Sequence, residues 1–409
     1  MPTLVVPRAS PVTAAGLRRA LLVLCLTEIT SWGILFYAFP VLVGDIATDT
    51  GWSATALTAA FSAGQLVAAL AGIPVGRWLD RHGPRGAMTA GSLLGAPALA
   101  LVALAPNLAW FSAGWLLIGV AMGAVLYPPA FAALTRWHGP DRVRALTALT
   151  LAGGLASTVF APLTAILSAR LDWRGTYLVL AVMLAVITVP AHWFGLRLPW
   201  PADHSSEPAH KHSNAPGPIA RSPAFLALAV SLGIAGFASF AVVVTLVPLL
   251  TERGIGTGTA AIALGLGGVG QVVSRIGYSA FAARTSVRTR TTVIVLAIAV
   301  TTALLGVFTT AAALITVAVL AGMARGVFTL IQATAITDRW GTAHYGRLTG
   351  LLSAPLTVTM ALAPFGGTAL AAAVGGYSAA FLTLGVFAAA AALLALASVP
   401  KHPAKEQLP

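Results

Sequence analysis

Apolar stretches of the length needed to cross a bilayer, about 20 residues, recur twelve times along this chain. They run near 18–43, 53–79, 86–104, 108–135, 145–169, 175–196, 223–250, 258–283, 291–309, 311–337, 347–372 and 377–399. Inside hydrocarbon every backbone N–H and C=O must be satisfied within its own segment, so such stretches can only be helices. An all-α membrane protein of twelve transmembrane helices is expected. Composition leaves no soluble alternative: 58% of residues are hydrophobic and 9% charged, against about 25% charged in soluble domains.

A formal charge of +13 invites a nucleic-acid reading, but the placement of the charge argues against one. Of 24 Lys and Arg, nineteen lie at the two termini or in alternate loops, and only Arg170, Arg174 and Arg253 lie in the opposite loops. The positive-inside rule then puts both termini in the cytoplasm and the protein in the cytoplasmic membrane. Cys25 is the only cysteine, so no internal disulfide is available. The first apolar run lacks a small-residue cleavage site before Trp32 and reads as a retained span.

The polar stretch 199–222 divides six spans from six, giving an expected bundle over 1–198, a cytoplasmic linker, a second bundle over 223–400 and a short tail over 401–409. His204, His210 and His212 in the linker have nothing to fix a metal geometry and read as solvated. The halves repeat one another. Arg136-Trp137 with Arg144 returns as Arg339-Trp340 with Arg347, Gly119 and Gly123 return as Gly322 and Gly326, and Gly64-Gln65 returns as Gly270-Gln271. Parallel repeats of this kind build a transporter with its site between the halves near the midplane. In this register Arg325 replaces Met122.

Three charges fall deep in the spans: Glu28, Arg275 and Arg325. An isolated charge at the bilayer centre costs about 2.5–3.5 kcal/mol on insertion scales, so such residues face a cavity or a partner. Arg275 is expected to anchor an organic anion through its planar fork; its alternative is a structural arginine held by backbone carbonyls. Arg325 either holds a second carboxylate or neutralises Glu28. Glu28, the one carboxyl at this depth, is a proton carrier or a static partner of Arg325. Tyr37, Tyr127, Gln65, Gln271 and Gln332 are hydrogen-bonding groups that either orient cargo or join helices. Gly265-Leu-Gly267-Gly268-Val-Gly270 matches a dinucleotide-binding pattern, which requires a preceding strand. Inside a span it reads instead as a small-residue surface for helix contact.

The loop after the second span, Gly76-Arg77-Trp78-Leu79-Asp80-Arg81-His82-Gly83-Pro84-Arg85, resembles the signature loop of the major facilitator superfamily, with Pro84 where that loop is usually basic. The resemblance implies two six-helix pseudo-symmetric bundles and a gating role for Gly76, Asp80, Arg81, Gly83 and Arg85. Gly76 is expected to let helices approach closely, and Asp80 to meet an arginine or a helix N-terminus. Phe36-Tyr37-Ala38-Phe39-Pro40 and Gln271-Val272-Val273-Ser274-Arg275 are similar to elements of the monocarboxylate transporters and the bacterial oxalate/formate-type antiporters. Gln271 stands where those transporters carry Asp.

Together these features point to a secondary transporter, not an enzyme, that moves small organic anions, monocarboxylates foremost, by proton-coupled alternating access. Expected partners are the anion, protons and the lipid bilayer, with no nucleic acid and no cofactor or metal, in a chain working as a monomer. Anion exchange, a proton-driven exporter of hydrophobic or cationic compounds, and a non-transporting sensor remain as alternatives.

Overall fold

The computed structural model describes residues 13–200, 217–341 and 345–400. The linker histidines His204, His210 and His212 and the tail 401–409 lie outside the described residues. Among the described residues twelve helices are long and apolar enough to cross a membrane: Ala14–Thr50, Ala54–His82, Pro84–Ala103, Leu108–His138, Arg142–Ser168, Trp173–Gly195, Pro223–Glu252, Thr257–Ile276, Val287–Val307, Ala311–Thr334, Arg347–Val374 and Tyr377–Leu396. They are called spans one to twelve. Their starts follow local chemistry. Thr13, Ser53, Asn107, Asp172, Ser222 and Ser286 precede spans one, two, four, six, seven and nine, and each side chain accepts from the N–H three residues on. Such a cap contributes about 1 kcal/mol.

Several spans are interrupted where the sequence strains them. Span one passes through a π-helical stretch, Gly33–Tyr37, a device frequent at functional sites. Span four breaks at Leu126, whose backbone is extended (φ −86°, ψ −168°). Pro128 and Pro129 follow, lacking the N–H groups that a continuous helix would need. Span five breaks at Leu155. Span eight, expected to reach 283, stops at Ile276; Gly277 separates it from a short helix, Tyr278–Arg284.

The repeat read from the sequence is a repeat of helix crossings. A Cβ on Gly119 would lie 2.2 Å from the Gly64 carbonyl oxygen, where span four crosses span two. A Cβ on Gly322 would lie 1.9 Å from the Gly267 oxygen, where span ten crosses span eight. Only glycine permits such approach. The Arg-Trp pairs also correspond, since each catches the chain as it leaves the last span of its half. Trp137 Nε1 donates to Pro199 O at 3.2 Å, and Arg339 Nε donates to Ser398 O at 2.8 Å.

Packing differs between the two faces. Toward the face away from the termini, residues of both halves form one core, from Ile34–Ile46 and Phe160 to Val242–Leu250 and Ala260–Leu264. Toward the terminal face each half has its own core, around Leu24, Met88 and Leu134 in the first and around Leu232, Phe328 and Leu352 in the second. The halves are thus closed against each other on one side and packed separately on the other. Hydrogen bonds tie the closed region, from Thr158 Oγ1 to Gly265 O at 2.8 Å and from Phe365 N to Ser62 Oγ at 3.1 Å.

Candidate functional site

Arg275 lies in the last turn of span eight, where the helix dipole favours a cation. Its Nη1 donates to the main-chain oxygen of Thr150 in span five at 2.6 Å, and its Nη2 to Thr329 Oγ1 in span ten at 3.2 Å. Nε is sealed from solvent without a partner. The Tyr127 hydroxyl faces this guanidinium, and Tyr37 lies within its electrostatic reach.

Arg325 is 8% exposed, and its Nε and Nη2 both donate to Gln271 Oε1, at 3.3 and 3.2 Å. Tyr37 and Arg275 are within its electrostatic reach. The equivalent crossing in the first half pairs Gln65 Nε2 with the Met122 sulfur at 3.6 Å. Gln332 lies apart from this arrangement, with Nε2 toward the Met360 sulfur at 4.0 Å.

Glu28 is fully buried, and neither carboxyl oxygen has a hydrogen-bond partner. It pairs with neither arginine: among the described residues the ion pairs are Arg174–Asp49 and Arg290–Asp338. The static Glu28–Arg325 pair considered from the sequence is therefore absent. The indole N–H of Trp32, one turn on, faces the carboxyl but falls short of hydrogen-bond geometry, leaving Trp32 Nε1 unpartnered as well. Trp32 packs on the Tyr127 ring at 5.3 Å, and Tyr127 lies in the fields of both Glu28 and Arg275. Span five makes room for that ring, since a Cβ on Gly153 would fall 2.3 Å from the Tyr127 hydroxyl.

The structure therefore brings together Glu28, Tyr37, Tyr127, Gln271, Arg275 and Arg325. Gln65 packs on Met122 within the first half, and Gln332 lies outside. Sequence reading missed Thr150 and Thr329, the oxygens that hold Arg275. Backbone carbonyls were the expected alternative partners of Arg275, but which carbonyl it meets is set only by how spans five and eight cross. The unpartnered N–H of Trp32 is visible only in three dimensions.

The signature loop is tied to its own half. Arg136 Nη1 and Trp200 Nε1 both donate to Asp80 O, at 3.2 and 3.1 Å. Arg85 Nε donates to Trp193 O at 2.8 Å, and the Arg85 guanidinium lies 4.0 Å above the Trp193 ring. Gly83 turns the chain at φ +78° beneath the Trp200 ring. Arg81 is exposed. Gly76 does not perform the close approach expected of it, because a Cβ there would meet no atom within 4 Å. The glycine patch of span eight does: a Cβ on Gly268 would fall 2.3 Å from Ser157 Oγ in span five, and one on Gly270 would fall 2.3 Å from Val319 O in span ten.

Comparison with known proteins agrees with this architecture. The family model described as Major Facilitator Superfamily matches residues 21–313 and 295–409. Human monocarboxylate transporter 11 is 27% identical over 231 residues, which is 56% of this chain and 47% of that protein. A protein of Pseudomonas aeruginosa named transcription regulatory protein OpdE is 34% identical over 110 residues, 25% of this chain and 27% of its own. The chain thus spans about half the length of the first relative and about a quarter of the second. A bacterial homolog of the human lysosomal transporter Spinster, in an inward-facing and unoccupied conformation, superposes with TM-score 0.77 at 14% identity, covering 94% of this chain and 98% of that one. The nucleoside transporter NupG superposes with TM-score 0.73 at 13% identity, covering 93% and 99%. These structural likenesses show a shared fold. With twelve spans in two repeated bundles and a family match along nearly its whole length, this chain belongs to the major facilitator superfamily of membrane transporters.

Proposed function

We propose that this transporter carries small organic anions, monocarboxylates foremost, across the cytoplasmic membrane by proton-coupled alternating access, with both termini in the cytoplasm. One observation carries the reading. Arg275 and Arg325 both lie in membrane spans, and the hydrogen-bond partners of both guanidinium groups are neutral oxygens. Among the described residues neither has a carboxylate in ion-pair range. Two like charges removed from water call for an anion, and a carboxylate is the natural match for a guanidinium fork. Two apposed cations disfavour a cationic cargo, which weighs against export of cationic compounds. The similarity to a human protein named as a monocarboxylate transporter supports the same reading.

In this proposal Glu28 takes the proton, and Tyr127, in reach of both Glu28 and Arg275, links carboxyl to guanidinium. Co-transport of one proton with a monoanion is electroneutral and avoids the opposing membrane potential, about 2.3 kcal/mol per charge per 100 mV. Anion exchange is the second reading, favoured by one observation: Gln271, a residue with no proton to give, occupies the place of the family's Asp beside Arg275.

The test is uptake of labelled lactate and pyruvate into liposomes, with and without an inward proton gradient and with the potential clamped. Uptake that follows the gradient and disappears in Glu28→Gln is the expected result. Uptake only into liposomes preloaded with anion would favour exchange, and neither under any condition would sink the organic-anion reading.

A further inference from the structure

Arg325 spends only part of its guanidinium on Gln271. Nε and Nη2 both donate to Gln271 Oε1, whereas Nη1 has no hydrogen-bond partner among the described residues and is not shut in by neighbouring atoms. Arg325 also lines a small cavity between spans seven, nine and ten. The other polar groups of that cavity are Ser239 of span seven and Thr301 and Thr302 of span nine; the rest of the wall is apolar. Thr301 turns its hydroxyl to its own helix, donating to the Ala297 oxygen at 2.7 Å. Ser239 and Thr302 are buried as residues, yet neither hydroxyl has a partner among the described residues and neither is sealed. Three donors with nothing to donate to therefore share one chamber, and one of them is cationic. At the repeat-related position of the first half stands Met122, so the charge is peculiar to the second.

We propose that this chamber binds a monatomic anion of chloride's size, as the resident counterion of Arg325. A guanidinium has donors only, and a hydroxyl can turn its hydrogen toward an anion. Charge decides among small occupants. Arg325 excludes a cation, and a water would satisfy the hydroxyls while leaving a buried guanidinium uncompensated, whereas buried charges are paired. Size decides among anions. The chamber offers about 10 Å³ to the centre of a water-sized sphere, room for a single small particle and not for a carboxylate with its carbon skeleton. Every lining residue belongs to the second half, so the ion travels with that half as a fixed part and is not released in each cycle. Under the organic-anion reading, this leaves Arg275 as the cation that meets the cargo. The halide site itself does not depend on that reading.

The experiment is thermal unfolding of the purified protein in nanodiscs, in gluconate buffer where chloride or bromide replaces gluconate at constant ionic strength and no cargo is present. A ligand of the folded state shifts the folding equilibrium by the factor 1 + [L]/Kd, about elevenfold at ten times Kd, so the unfolding temperature should rise along that curve with either halide. Ser239→Ala combined with Thr302→Val removes both free hydroxyls, and Arg325→Met supplies the first half's residue. In each the halide response should weaken by roughly tenfold or more, the scale of a hydrogen bond to a charged group, while the unfolding transition in gluconate shows that the variant is folded. Arg275→Gln should keep the full response. Anomalous scattering from bromide in crystals should place the ion beside Arg325 Nη1. No halide response in the unaltered protein, a response that survives in both cavity variants, or one lost in Arg275→Gln would overturn the proposal, the last by assigning the ion to the cargo site. None of these outcomes reads organic-anion uptake, so the halide site can fail while the reading of the cargo stands.

Discussion

The Arg275 guanidinium donates across 2.6 Å to the main-chain oxygen of Thr150, and this bond joins the two halves of the transporter. Thr150 belongs to span five and Arg275 to span eight. The same guanidinium reaches Thr329 of span ten, within its own half. A residue that bridges both bundles and also faces Tyr127 is placed to sense cargo and transmit its arrival. An anion that takes the Thr150 bond for itself would loosen one half from the other.

Replacement of Arg275 by Lys is accordingly expected to be damaging although the charge is kept. A single ammonium cannot serve Thr150, Thr329 and a bidentate carboxylate together. Anion affinity should fall roughly tenfold or more in Arg275→Lys, and further in Arg275→Gln, given about 1.5–3 kcal/mol for a charged hydrogen bond. Titration calorimetry measures both, and a silent Arg275→Lys would show that the fork is not used.

Arg325→Met should be milder, because Arg325 is enclosed and acts through Gln271. A loss of roughly five- to tenfold in anion affinity is expected from one misplaced amide. Gln271→Leu tests the pair from the other side. It leaves a buried guanidinium without its acceptor, so thermal unfolding should report about 1–3 kcal/mol of lost stability.

Binding and coupling should separate at Glu28. Since neither oxygen of Glu28 holds another residue by a hydrogen bond, Glu28→Gln should keep the fold and the anion site. Counterflow of labelled anion should persist in the variant while accumulation driven by a proton gradient disappears. Gradient-driven accumulation in Glu28→Gln would remove Glu28 from the coupling route.

Two glycine substitutions distinguish packing within a half from packing between halves. Gly322→Ala would press a methyl against the Gly267 carbonyl oxygen, 1.9 Å away before relaxation, and should destabilise the protein by about 1–3 kcal/mol. Gly268→Ala crowds Ser157 across the inter-half contact and should shift the balance of states more than the unfolding temperature. Spin labels at positions 169 and 258, which line one cleft between the halves, should move apart in Gly268→Ala and stay in place in Gly322→Ala.

Gly83 carries two constraints that can be separated. Its φ of +78° with ψ of 176° is a region essentially reserved for glycine, costing other residues about 1–3 kcal/mol. An added Cβ would also lie 3.1 Å from the Trp200 ring. Gly83→Ala should therefore lower the unfolding temperature, and Trp200→Ala in the same chain should recover only part of the loss. Full recovery would assign the whole cost to the ring contact.

Much of the site was legible residue by residue, because a charge or amide in an apolar run stands out against its surroundings. Glu28, Arg275 and Arg325 were visible in this way, as was the glycine patch of span eight. Gly76 shows where the reasoning fails: a glycine in a family motif suggested close packing, yet its surroundings are open. The end of span eight was also misplaced, because the apolar run continues past Gly277 while the helix does not.

Hydropathy and charge placement along the chain are enough to specify twelve spans and their duplication, since bilayer thickness and backbone hydrogen bonding act on each segment separately. Which polar groups meet is a different matter, because it depends on how helices far apart in sequence cross. Only the folded protein left Glu28 without an ion pair, joined Arg275 to a backbone oxygen 125 residues away, and turned Gln65 and Gln271 in opposite senses. Hydrogen bonds act over a few ångströms, so their partners are chosen only after packing has set where each side chain lies.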